Sequence, residues 1–272
     1  MIKKCLENVR ETTPLVHNIT NYVTVNDCAN ALLAIGGSPI MSDDIDDVKD
    51  ITAICGGLNI NIGTLNARTI PAMFAAGEIS NKLGHPVLLD PVGAGASKLR
   101  TETAKGLVEK LKLSVIRGNI SEIKALALGS NTTKGVDADT LDAVTDDTVD
   151  NAIAFAREFS RKSGAVIVIT GAIDLVVDKD KAFVIRNGNA MMSKITGTGC
   201  MLSSIMTAFA VANPENITEA CAAAVCAMGL AGERGYEKLG DGGNSTYRNL
   251  IIDELCNMTP EILKDGAKYE MR

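Results

Sequence analysis

Strand-like and helix-like patterns alternate along almost the whole chain, and this alternation limits the fold more than any single motif does. Residues 23–35, rich in Ala and Leu, read as a helix ended by Gly36-Gly37. Residues 53–54 and 58–62 flank a glycine pair and read as a strand region, 66–83 as helix, and 86–90 as a short buried strand ending in an acid. A helix at 97–111, a strand at 114–117 and a short helix at 121–128 follow, the last with Asn119 placed to cap it. The acidic stretch 137–150 reads as polar surface and 145–162 as an amphipathic helix. The β-branched run 165–170 is the clearest strand, and 173–177 with 182–185 read as a hairpin around Asp178-Lys179-Asp180-Lys181. Everything after residue 197 reads as helix. Alternation of this kind implies an α/β fold, a mostly parallel central sheet flanked by helices on both faces. With no repeat, low-complexity tract or linker, the 272 residues are expected to form one domain, 1–272.

Composition removes several function classes. Hydrophobic residues make up 46% of the chain, enough for a substantial core. The net charge of −6 argues against a nucleic-acid partner, which calls for a basic face. Aromatics are 3% with no Trp, which disfavours stacking platforms for single-stranded bases. Segments 201–212 and 220–232 are apolar, but Asn213-Pro214-Glu215-Asn216 separates them and each is shorter than a membrane span, so no membrane partner is expected. Met1-Ile2-Lys3-Lys4-Cys5-Leu6-Glu7 has no apolar signal core, and the seven scattered cysteines include no C-x-x-C. Reduced thiols in the cytoplasm are the expectation. The two histidines, His17 and His85, lack the Cys/His cluster of a structural zinc site.

The chemistry concentrates at the expected strand ends, where open α/β sheets bind ligands. Lys194-Ile195-Thr196-Gly197-Thr198-Gly199-Cys200 leads into an apolar helix. A glycine turn entering a helix presents free N–H groups and the positive end of the macrodipole, a site for phosphate, and Cys200 at its mouth is placed where a thiolate is favoured. The alternative is a glycine loop before a core helix. Asp90, before Pro91-Val92-Gly93-Ala94-Gly95, suits either an outer-shell ligand to a metal or a turn-stabilising role. Asn119 and Glu122 sit three apart, a spacing that suits water around magnesium and also ordinary helix capping. Arg117 at the end of an apolar strand needs a partner, either a phosphate or a carboxylate. Thr170-Gly171 marks a further strand end. His17-Asn18-Ile19-Thr20-Asn21-Tyr22-Val23 is a polar cluster that suits a small ligand or turn and N-cap chemistry, and Gly36-Gly37-Ser38-Pro39-Ile40-Met41 reads as a turn ending in Met41, which is either core or a thioether lining a pocket for an aromatic ring.

In this order and spacing, the segments 14–23, 37–41, 90–95, Arg117-Gly118-Asn119 with Glu122, and 196–200 resemble the hydroxyethylthiazole kinases, a thiamine-salvage family of the ribokinase-like superfamily. The resemblance runs from about residue 14 to about residue 250. The wider superfamily carries Gly-x-Gly-Asp with Asp as base; Cys200 stands in its place here, as in the thiazole kinases. The resemblance implies a ribokinase-like fold, ATP as co-substrate, Mg2+, and a homotrimer with substrate sites near subunit interfaces. It further implies thiazole contacts from Met41, Gly197 and Asn18, and ATP contacts from Arg117, Thr170 and Asn119. Glu122, with Asp90 as the weaker candidate, would hold magnesium and its waters; Gly197, Thr198, Gly199 and Cys200 would form the catalytic turn. The expected reaction is ATP-dependent phosphorylation of the primary hydroxyl of 4-methyl-5-(2-hydroxyethyl)thiazole. Two alternatives are a kinase for a hydroxymethylpyrimidine or pyridoxal, and a non-catalytic nucleotide-binding protein.

Overall fold

Strand residues alternate between two apolar layers, which places a sheet between two sheaths of helix. The computed structural model of the chain describes residues 1–127 and 143–272. The strands of the described residues are β1 (Leu15–Ile19), β2 (Ser38–Met41), β3 (Gly57–Asn61), β4 (Val87–Asp90), β5 (Val115–Gly118), β6 (Val166–Ile169), β7 (Asp174–Val177), β8 (Ala182–Ile185) and β9 (Tyr269–Met271). They form one sheet in the order β2-β1-β3-β4-β5-β6-β7-β8-β9. Pairing is parallel from β2 to β6 and antiparallel from β6 to β9. The helices of the described residues are α1 (Ile2–Thr12), α2 (Val25–Ile35), α3 (Val48–Ile54), α4 (Thr69–Leu83), α5 (Lys98–Lys110), α6 (Ile120–Ala127), α7 (Val149–Ser163), α8 (Thr198–Ala212), α9 (Ile217–Glu237), α10 (Asn244–Cys256) and α11 (Pro260–Gly266).

Val166 and Val168 join one core with α1, α2 and α8 to α11, whereas Ile167 and Ile169 join the other with α4 to α7. Successive side chains of a strand point to opposite faces, so one β-branched run serves both cores. α8 and α9 are apolar around most of their circumference and lie in the first core.

Several expectations are corrected. Residues 53–54 lie at the end of α3, whose Val48 and Thr52 are buried one helical turn apart, and not in a strand. Residues 38–41 are an edge strand rather than a turn; Pro39 is tolerated there because an edge leaves one row of backbone groups unpaired. The C-terminal part is not wholly helical, because β9 returns to pair with β8. α1 was not anticipated, although Ile2, Cys5, Leu6 and Val9 form its buried stripe. Leu128 and the part of the acidic stretch at 137–142 lie outside the described residues.

A buried carboxylate ties α9 to α10. Glu254 Oε2 accepts from Arg234 Nε at 2.6 Å, and Oε1 pairs with Lys238. Burial opposes ionisation of Glu254, but the hydrogen bonds and charges of Lys238 and Arg234 outweigh it and hold the carboxyl below its ordinary value. A depressed folded value contributes stability above the unfolded value, and that contribution is lost as pH falls through the folded one. Glu254→Gln is therefore expected to lower unfolding free energy by about 1–3 kcal/mol at pH 7, an amount reduced by the partial exposure of both cations. The difference from the parent in denaturant melts should shrink below about pH 4; a difference independent of pH would remove the ion pair as its cause.

Candidate active site

Parallel strands bring their C-terminal ends to one edge, and there β1 to β6 deliver polar groups against the N-terminus of α8. The arrangement is built around Asp90, the last residue of β4 and fully buried. Its Oδ2 accepts from Asn61 Nδ2 (2.9 Å), Ser203 Oγ (2.8 Å) and Arg117 Nη1 (3.3 Å). Arg117 Nη2 in turn donates to Thr170 Oγ1 at 2.6 Å. The charge at the end of β5 therefore has a carboxylate partner, while its side chain keeps 11% exposure.

The glycine turn is fitted to this group. Gly197 caps α8 in the left-handed region, φ +88°, where a Cβ would also lie 2.2 Å from Thr24 Cγ2. A Cβ on Gly199 would lie 2.5 Å from both Arg117 Nη1 and Nη2 and 2.8 Å from Cζ. The first turn of α8 thus rests directly on the guanidinium, and Thr198, Gly199 and Arg117 share one cavity wall.

Cys200 follows on the inner side of the turn. Its Sγ accepts from Asn21 Nδ2 and Asn61 Nδ2, both at 3.2 Å. Asn21 is fixed by its own turn, its Oδ1 accepting from Val23 N and Thr24 Oγ1 at 3.1 Å each. The expectation that the sulfur sits where a thiolate is favoured is corrected, because the side chain is buried. Burial raises the thiol above its ordinary value and the negative charge of Asp90 adds to this, against hydrogen bonds from Thr24 and Asn21 and the charge of Arg117.

Asn119 and Glu122 form a reciprocal capping box at the start of α6. Glu122 N donates to Asn119 Oδ1, and Asn119 N donates to Glu122 Oε2, both at 2.8 Å. Glu122 Oε1 also accepts from Gly93 N at 2.8 Å, which joins the loop after β4 to that after β5. Each carboxylate oxygen keeps a second lone pair. Among the described residues, no three His, Cys, Asp or Glu side chains converge as a metal group. Magnesium needs no such cage, since one or two carboxylates, phosphates and water hold it, and half-buried Glu122 fits that demand. Asp90 fits it less well, being fully enclosed with three donors on Oδ2, although its Oδ1 has no partner.

The other predicted residues are divided. Met41 and Asn18 are register partners at the ends of β2 and β1. Asn18 is buried, with Oδ1 accepting from Asn59 Nδ2 at 3.0 Å and Nδ2 donating to Val16 O at 3.1 Å; Asn21, not Asn18, reaches Cys200. A cavity of about 640 Å³ opens on the other side of α8. Arg117, Thr170, Thr198 and Gly199 line one end, and Leu202, Val225, Met228 and Met192 supply apolar wall. Asp174, at the start of β7, also lines it and accepts at Oδ1 from Gly171 N, 2.9 Å away. Burial pushes its carboxyl up to about 7, against the Gly171 N–H and the charge of Arg117. Sequence reasoning missed Asn61, Ser203 and Asp174. The available signal for Asn61 was Asn59 and Asn61 two apart in an otherwise apolar buried strand, hence on one face.

Comparison with known proteins identifies the family. The model of the Hydroxyethylthiazole kinase family matches residues 6–261. The chain is 63% identical to the hydroxyethylthiazole kinase of Clostridium acetobutylicum over 271 residues, 99% of each chain. It is 46% identical to that of Ruminiclostridium cellulolyticum, covering 98% of this chain and 96% of the relative. The solved hydroxyethylthiazole kinase of Pyrococcus horikoshii OT3 superposes with a TM-score of 0.89 at 33% identity, covering 100% of this chain and 98% of that one. A ribokinase-like superfamily protein from Enterococcus faecalis V583, at 15% identity and a TM-score of 0.62, shares the fold. The fold is thus ribokinase-like, and the chain belongs to the hydroxyethylthiazole kinase family.

Proposed function

We propose that this chain transfers the γ-phosphoryl group of ATP to the primary hydroxyl of 4-methyl-5-(2-hydroxyethyl)thiazole, the thiazole half of thiamine, in its salvage. The observation that carries the reading is the joint placement of Cys200 and Arg117 around Asp90 under one glycine turn. Phosphoryl transfer needs positioning and charge neutralisation more than covalent chemistry, and the turn combines these with a proton acceptor. ATP lies in the cavity with its triphosphate toward Arg117, Thr170 and the N–H groups of Thr198 and Gly199; Asn119 does not line the cavity and stands two residues beyond Arg117 at the cap of α6. The thiazole lies on the Cys200 side, beside Asn21, Gly197 and the end of β2 at Met41, with Asn18 supporting the wall from within.

The substrate hydroxyl loses its proton to the Cys200 sulfur as its oxygen attacks the γ-phosphorus, and ADP leaves. Asn21 and Asn61 hold that sulfur in place, and their N–H groups favour its ionised form. Magnesium, when bound, neutralises charge across the phosphate oxygens, and Glu122 is the residue that would hold it and its waters. Asp90 keeps the Arg117 guanidinium aimed at the phosphates.

The same reading takes the chain as one kinase domain working in the cytoplasm; the one sheet that joins the strands of the described residues, and their free cysteines, support it. It also takes a homotrimer as the working form, with exposed Tyr22 and Val23 beside Asn21 as candidates for the subunit contact. No helix among the described residues is long and apolar enough to cross a membrane. The direct test offers ATP, magnesium and three alcohols separately: the thiazole, a hydroxymethylpyrimidine and pyridoxal. Product phosphate on the thiazole alone is expected; preference for another alcohol, or no transfer, overturns the reading.

Arg117→Ala is expected to weaken ATP binding about 10–100-fold, as for loss of charge-assisted hydrogen bonds. The melting point should fall as well, because buried Asp90 would keep only Asn61 and Ser203. Calorimetry with ATP and with the thiazole alcohol separates the roles. Unchanged ATP affinity with a lowered melting point would make Arg117 a structural residue only.

A further inference from the structure

The cavity assigned to ATP contains one carboxylate among its described lining residues, Asp174, which the phosphoryl-transfer chemistry leaves without a task. A negative charge near a triphosphate site is a cost unless it meets a donor. Two independent features locate it. Asp174 opens β7 just after the Thr170-Gly171 turn, and Gly171 N donates to its Oδ1, so the carboxylate is held close to the phosphate end. In register, Asp174 pairs with Ile185 on β8, and the chain beyond Ile185 supplies Arg186, Asn187, Gly188 and Asn189 to the same cavity. Asp174 is therefore enclosed between the phosphate-binding turn and the opposite rim. The apolar wall of Leu202, Val225, Met228 and Met192 suits a flat heteroaromatic base. A nucleotide laid between the two ends puts its sugar between phosphates and base.

We propose that Asp174 accepts hydrogen bonds from the ribose hydroxyls of the nucleotide and thereby selects ribonucleotides over their deoxy forms. Its value of about 7 leaves about half of this carboxyl ionised at neutral pH, a form that offers only acceptors to the two hydroxyl donors of a ribose diol, the chemical match that acidic residues make to ribose in dinucleotide sites. Oδ1 is already oriented by the Gly171 N–H, so the carboxylate loses little freedom on binding. The assignment rests on the reading of this cavity as the ATP site. It makes Asp174 a specificity residue, apart from the proton transfer at Cys200.

The test measures KM for ATP and for 2′,3′-dideoxy-ATP, with saturating thiazole alcohol and magnesium, in the parent, Asp174→Asn, Asp174→Ala and Arg117→Ala. Asp174→Asn keeps an acceptor for Gly171 N, and thermal melts of both Asp174 variants report folding. The parent should prefer ATP by about tenfold, the effect of a hydrogen bond to a charged group. In Asp174→Ala the preference should collapse because KM for ATP rises while KM for the dideoxy nucleotide stays unchanged, with kcat held within about twofold. Asp174→Asn should fall between. A preference for ATP that persists undiminished in a folded Asp174→Ala protein overturns the proposal. If Arg117→Ala still raises KM for both nucleotides in that event, the cavity remains the ATP site and only the role of Asp174 is lost. If neither position alters any nucleotide's KM, both the proposal and the reading of the cavity fall.

Discussion

Gly199→Val abolishes phosphoryl transfer in a protein that remains folded: this is the largest single effect expected from the geometry. In sequence, Gly199 belongs to a glycine turn read as a phosphate site. The structure supplies a nearer reason, since the place a Cβ would take lies 2.5 Å from both terminal nitrogens of Arg117. The end of a long side chain ordinarily moves aside at small cost. Here Asp90 holds Nη1 and Thr170 holds Nη2, so the guanidinium cannot retreat without leaving a buried carboxylate short of a donor. Valine must push either Arg117 out of the network or the α8 turn away from the phosphate. Each removes electrostatic stabilisation of the transferring group, and losing one preorganised donor alone costs on the order of 10²–10³ in rate. Because the turn rests on the guanidinium, displacing one disturbs the other, and the combined loss places the variant below about a thousandth of the parent kcat/KM. Overpacking should cost about 1–3 kcal/mol of stability. Steady-state turnover beside a thermal melt checks the result; near-normal turnover in folded Gly199→Val would show that neither the turn nor Arg117 acts on the phosphoryl. Gly199→Ala, with the same clash but fewer atoms, should retain more activity.

The fold was legible where local pattern and tertiary role coincide. The run ending at Ile169 is β-branched and buried on both faces, so strand and depth carry one signal. It was hidden where tertiary context decides. Pro39 reads as a turn residue, and only the edge position of β2 lets it serve in a strand. Tyr269, Glu270 and Met271 are all exposed and carry no alternation, so pairing with β8 alone defines β9. The site followed the same division. Arg117 and Thr170, 53 residues apart, were grouped through the family resemblance, and they meet in one hydrogen bond. Ser203 attracts no attention in sequence because it lies in an apolar run, and the spacing of Asn59 and Asn61 marks a shared face without naming its partner; the roles of Asn61 and Ser203 exist only where β3 and α8 cross beside Asp90. Glu122 shows that the functional and the plain reading need not exclude each other: it closes a capping box, and its remaining lone pairs leave it suited to a metal's waters.

Cys200 sets the second large effect. Its burial and the charge of Asp90 raise the thiol, while Asn21 and Asn61 direct two amide N–H groups at the sulfur, the arrangement an anion requires. At neutral pH only a small fraction of such a thiol is ionised, so a base in this form works below its capacity. If the thiolate takes the hydroxyl proton, kcat should rise with pH through the range above 7, in proportion to that fraction. Cys200→Asp places a carboxylate against the same two amide donors, and an aspartate accepting such bonds stays ionised at neutral pH. That variant is expected to equal or exceed the parent, with a kcat flat from about pH 6 to 8. Cys200→Ala should lose about 10²–10⁴ in kcat, the usual contribution of a positioned proton acceptor. The remainder would reflect the electrostatic part of the transfer, the role proposed for Arg117 and the α8 turn. Repulsion from Asp90 works against the Asp variant, but the Arg117 cation bound to that same carboxylate offsets it. Turnover of the three proteins at saturating thiazole alcohol, ATP and magnesium, each across pH 6 to 9, separates the cases. Full turnover by Cys200→Ala, or a parent kcat that does not rise with pH while chemistry limits the rate, would reduce Cys200 to a small residue filling the start of α8.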